Sequence, residues 1–178
     1  MQVMLRHAQQ ADLAELQALI ARSIRILGKG HYTTAQIEAA LTGAFGVDTQ
    51  LIRDSTYFVA ERDGELVGCG GWSHRHTLFG SDAYQQRNAA ELDPTLDAAG
   101  IRAFFVDPAA VRCGVGSVIL SHCEAAARTH GFQRAQLMAT LPGVCLYEAR
   151  GYVREEVVLH EVAPNLTIQF VRMSKALV

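Results

Sequence analysis

Residues 101–117 run Ile-Arg-Ala-Phe-Phe-Val-Asp-Pro-Ala-Ala-Val-Arg-Cys-Gly-Val-Gly-Ser. Ile101 to Val106 is apolar, β-branched and aromatic, the composition of a buried strand. Asp107-Pro108 ends it, because proline brings no N–H to a ladder. A glycine-containing loop, Val111 to Gly116, then leads into a helix over Ser117–His130. Val118, Ile119, Cys123, Ala126 and Ala127 form its apolar stripe, and Gly131 closes it. Ala135–Ala139 reads as the next strand, so the stretch opens a β-α-β unit. Glycine at the helix start lets peptide N–H groups approach an anion without Cβ obstruction. The helix dipole adds about half a positive charge there, and Arg112 adds a whole one. A diphosphate suits such a nest; a helix start kept small only for packing is the competing reading. The familiar phosphate loops do not fit. No Gly-Lys-Ser/Thr follows, and Ile119 stands where a dinucleotide fingerprint needs its third glycine.

Upstream, residues 3–7 form a short strand. Asp12-Leu13-Ala14-Glu15 reads as a capping box, with Leu13, Leu16, Leu19 and Ile20 at helical spacing behind it. Gly28 and Gly30 stop that helix. Thr33 to Gln36 starts a shorter one carrying Ile37, Ala40 and Leu41, ended by Gly43. Residues 56–61 and 65–72 are strands joined by Asp63-Gly64, a turn pair that tolerates positive φ. Gly68, Gly70 and Gly71 predict a bulge or a close backbone approach in the second strand. Residues 73–100 read as a long irregular loop, a class that is usually functional in compact domains. Downstream come a short helix over Pro142–Arg150 and strands over 152–161 and 166–174, turned by Pro164-Asn165. The expected order is β α α β β, loop, β α β α β β. This is a mixed α/β (α+β) fold: one mostly antiparallel sheet of six to seven strands, with helices on both faces.

The chain has 178 residues with 16 Lys+Arg and 18 Asp+Glu, a net charge of −2 with histidine neutral. That length suits one domain, 3–178. Near-neutral charge argues against a nucleic-acid wrapper, and no apolar run or basic block points to a membrane. The first residues lack a signal-peptide pattern. The four cysteines, Cys69, Cys113, Cys123 and Cys145, form no C-x-x-C pair and read as free, mostly buried thiols of a cytoplasmic protein. No third ligand accompanies His74 and His76, so no metal is expected.

A second motif follows the first: Leu146-Tyr147-Glu148-Ala149-Arg150-Gly151-Tyr152. The ordered set resembles the GNAT superfamily of N-acetyltransferases over about 3–175. Leu5-Arg6-His7-Ala8 with Asp12 is similar to its first strand and helix, and Phe104 to Pro108 to its fourth strand. Val111–Gly116 resembles its Q/R-x-x-G-x-G/A loop, and Tyr147–Tyr152 its Tyr-x-x-x-Gly-Phe signature. The family's Gln/Arg position falls on Val111, with Arg112 one place later. A helix-capping Asn corresponds to Thr140, and the last aromatic is Tyr152.

The resemblance implies acetyl-CoA bound where the fourth and fifth strands splay. Pantetheine would lie along Phe104, Phe105 and Val106, and the pyrophosphate on Val111, Arg112, Cys113, Gly114, Val115, Gly116 and Ser117, with Thr140 nearby. Tyr147 would lie near the thioester sulfur, as acid for the departing thiolate. A backbone N–H near Val106 could steady the oxyanion. An amine, of a small molecule or a protein, would enter from the opposite side. His74, with His76, is the base candidate just past the third strand; Asp107 and Glu91 are weaker ones. A solvated loop role for both histidines and proton transfer through water fit equally well. His122 and His130 read as surface or packing residues. Glu91, Asp93 and Asp97 would either attract a cationic amine or form a solvated face. A non-catalytic acyl-CoA sensor is the alternative function. A homodimer through edge strands within 152–174 stays open.

Overall fold

Alternation along one strand sorts the core. In β2 (Tyr57–Arg62), Phe58 and Ala60 join one apolar cluster while Tyr57 and Val59 join another, as the two-residue period of a strand requires. The computed structural model describes residues 2–178. With β2, strands β1 (Met4–His7), β3 (Glu65–Ser73), β4 (Ala99–Val106), β5 (Arg134–Thr140), β6 (Val153–Ala163) and β7 (Leu166–Ala176) form a seven-stranded sheet. Its order is β1-β2-β3-β4-β5-β7-β6. Among the described residues only β4 and β5 pair in parallel. Helices α1 (Leu13–Leu27), α2 (Thr34–Ala40) and α3 (Thr49–Arg53) cover one face. The other face carries α4 (Val115–Thr129) and α5 (Val144–Ala149).

The sheet opens at its centre. β4 meets β5 only at Ala99↔Ala135 and Gly100↔Gln136. Against β3, Arg102 pairs with Gly71 and Phe105 with Cys69, so β4 spends one extra residue there. That residue is a bulge, with Ala103 at φ +48. The Tyr57 hydroxyl donates to the Ala103 carbonyl at 3.1 Å. A bulge bends its strand, and this one turns β4 away from β5 from Ile101 onward. Gly70 permits the arrangement: a Cβ there would sit 2.4 Å from the Phe104 ring.

Several local expectations shift. The capping box lies three residues upstream, between Gln9 and Asp12. Arg6 draws the Asp12 carboxylate away with contacts of 2.8 and 2.9 Å. α3 is an element the pattern reading missed, although Asp48 caps it by accepting from the Gln50 N–H at 3.1 Å. α4 starts at Val115 rather than Ser117, and Val118 is exposed. Cys69 and Cys123 are buried, but Cys113 and Cys145 are exposed. Asp63 (φ 55) and Gly64 (φ 82) make the expected turn.

Candidate active site

Two cavities meet where β4 and β5 part. The outer one has a volume of about 600 Å³, within the range of coenzyme and ligand clefts. Phe104, Phe105, Val106, Val111, Arg112, Gly114, Val115, Gly116, Ser117, Thr140 and Tyr147 line it. Every coenzyme position expected from the sequence therefore borders one space except Cys113. Ser23, Ile24 and Leu27 of α1 close its far side, a contribution that no local motif signals.

The end of the outer cavity at the start of α4 is shaped by backbone conformation. Arg112 (φ 61) and Gly114 (φ 81) are both left-handed, a conformation found in anion-binding nests, and the Cys113 N–H between them donates to the Ala110 carbonyl at 3.3 Å. Gly114 also occupies the N-cap of α4, where the first-turn amides have no intrahelical partner. The floor beneath is tight, since a Cβ on Gly68 would lie 2.7 Å from Val115 Cγ1.

Tyr147 projects from α5 between the cavities and borders both. It is 7% exposed, and Phe104 meets its ring edge-on at 6.0 Å. Burial pushes its phenol well above the ordinary tyrosine value, and nearby Cys123 adds to the rise. Upstream of α5, the Tyr32 hydroxyl donates to the Gln169 carbonyl at 2.7 Å and accepts from the Leu141 N–H at 2.9 Å. This fixes the end of β5 beside Thr140. Thr140 caps the following turn without a side-chain hydrogen bond.

The inner cavity, about 60 Å³, lies on the α1–α3 side. Phe45, Leu78, Phe79, Phe105, Met138 and Phe170 supply the apolar part of its wall, beside Arg102, Thr140 and Tyr147. The rings interlock: Phe45 lies 6.1 Å from Phe105 and 6.0 Å from Phe170, and Phe79 lies 5.4 Å from Phe170. Arg102 is its charged neighbour. That side chain is 2% exposed, ion-paired with Asp48 at 2.7 Å, and donates to the Gly80 carbonyl at 2.9 Å; its Nε has no partner. Arg87 meets the same Asp48 at 2.7 Å. These ties hold the long loop against β4.

The base candidates lie elsewhere. His74 follows Ser73, which pairs with Gly100 at the closed end of the β4–β5 gap. It stacks on His130 at 5.4 Å and approaches Asp54 at 3.8 Å and Glu91 at 3.9 Å. It borders neither cavity, so the structure does not bring the expected base candidate together with Tyr147. His76 is exposed in the loop. Asp107 is engaged by Arg22, whose Nε donates at 2.9 Å. Partial burial pushes the Asp107 carboxyl up, but Arg22 and the Ala109 amide outweigh it and hold it below the usual range. Asp93 and Asp97 fold onto their own turn, so the acidic group faces neither cavity.

The sequence profile of the acetyltransferase (GNAT) family matches residues 28–152. The chain belongs to that family. The fold is shared with the GCN5-related N-acetyltransferase of Rhodopseudomonas palustris, at 19% identity and TM-score 0.72, covering 99% of this chain and 96% of that one. The PaiA N-acetyltransferase of Thermoplasma acidophilum, solved with coenzyme A, aligns at 14% identity and TM-score 0.67 over 99% of both chains. The ribosomal-protein-alanine N-acetyltransferase of Brucella melitensis aligns at 17% identity and TM-score 0.62, over 97% of this chain and 99% of that one. A search of curated proteins finds no match.

Proposed function

We propose that the protein transfers an acetyl group from acetyl-CoA to a primary amine. One observation carries the reading: Phe104, Phe105, Thr140 and Tyr147 belong to the walls of both cavities. The cleft that ends at the start of α4 thus meets a small chamber at a buried phenol. In this reading Arg112 and the amides of Gly114 through Ser117 hold the diphosphate, and the edge of β4 at 104–106 left unpaired by β5 aligns the pantetheine arm. A peptide N–H near Val106 steadies the charge developing on the carbonyl oxygen. The neutral amine forms the new C–N bond as the C–S bond breaks with its electron pair on sulfur. Tyr147 gives its proton to that sulfur and is restored from solvent. Among the described residues no histidine lines either cavity, which supports loss of the amine proton through water.

A panel of amines with acetyl-CoA, read by free thiol, tests the reaction. Tyr147→Phe is expected to lower turnover at least about tenfold with acetyl-CoA affinity unchanged by calorimetry. Unchanged turnover removes Tyr147 from the mechanism. Binding of acetyl-CoA without thiol release from any amine leaves the sensor reading instead. For assembly, Val153, Val157 and Leu159 are exposed along edge strand β6, which supports pairing of two copies there. Val157→Lys is then expected to shift a dimer to monomer in sedimentation velocity.

A further inference from the structure

The inner cavity selects its amine by what it lacks. The rings of Phe45, Phe79, Phe105 and Phe170 with Leu78 and Met138 share its wall with Arg102, Thr140 and Tyr147, and no carboxylate borders it among the described residues. Arg102 is the one charged side chain in the wall, and the carboxylate beside it, Asp48, is already shared between Arg102 and Arg87 at 2.7 Å each. A second ammonium placed there would be buried without a counter-ion, which is strongly unfavourable. A methylene stem gains from the same wall. A volume of about 60 Å³ holds a short stem rather than a large ring system. We infer that the acceptor is a monoamine carried on a short apolar stem, and that diamines, polyamines and other multiply cationic amines are rejected. This rests on the acyl-transfer reading.

A matched pair isolates the charge. n-Butylamine and 1,4-diaminobutane differ at one end only, and two equivalent amines give the diamine a statistical advantage. kcat/KM for n-butylamine is expected to exceed that for the diamine at least about tenfold. Phe79 lies on the loop rather than in the sheet, so Phe79→Ala should fold and lengthen the chamber. That variant is expected to raise n-hexylamine relative to n-butylamine about tenfold. Acetyl-CoA affinity is measured by calorimetry on the same samples. A diamine used as well as the monoamine, with acetyl-CoA bound normally, overturns the acceptor class alone. Failure to bind acetyl-CoA, or binding without transfer to any amine, overturns the acyl-transfer reading and this inference with it.

Discussion

At Tyr147 burial acts on two groups at once. It raises the phenol, and in the proposed transfer it would raise the leaving thiol as well, because both anions lose solvation. Proton donation would then stay workable, with the phenol protonated through the working range. The pH profile of kcat/KM is expected to rise as the amine deprotonates and to show no fall below about pH 10. A decline between about pH 8 and 9.5 that disappears in Tyr147→Phe would contradict the assignment. Asp48 makes a different residue-scale prediction. It is wholly buried between Arg87 and Arg102, so Asp48→Asn should cost about 3–5 kcal/mol in urea unfolding. The place of Tyr147 beside the cleft was legible because its partner glycine and aromatic follow at fixed spacing. The place of His74 was not, because a pattern past a strand end does not say which end of the neighbouring gap it faces.

Among the elements, the start of α4 carries the sharpest expectation. Gly114 has open space for a Cβ but a φ of +81, so a side chain there is strained and points charge into the nest. Gly114→Glu is expected to abolish acetyl-CoA binding in calorimetry while the thermal unfolding midpoint falls by only about 2–8 °C, the cost of the strained φ. Near-normal affinity would displace the diphosphate from this loop. Strand and helix order was readable from periodicity and turn chemistry. The two-residue error at α4 arose because the left-handed turn at Arg112–Gly114 let the helix begin early. α3 escaped notice because five residues give no periodic signal beyond the Asp48 cap.

For the whole molecule, acid stability follows from paired carboxylates. The Arg6 hydrogen bond is the largest effect holding Asp12 below its ordinary value, and Arg75 does the same for Asp54. Groups held low bind protons more readily in the unfolded chain, so they stabilise the fold above about pH 4 and lose that effect as pH falls through the folded values. The melting temperature should drop between about pH 5 and 3, and Asp54→Asn should flatten that slope. The layered architecture was legible at this scale, because alternation and amphipathic stripes report layers. The inner chamber was not, since Phe45, Phe79, Phe105 and Phe170 are brought together only by folding.

The extra residue at Ala103 has one more consequence. The aperture in the sheet arises from a miscount between neighbouring backbones, not from the bulk of any side chain around it. Its rim can therefore be rewritten by mutation without sealing it. Under the proposed function, substitutions at Leu78 or Phe79 reshape the inner chamber and leave the loop at 111–117, which lines only the outer cleft, untouched.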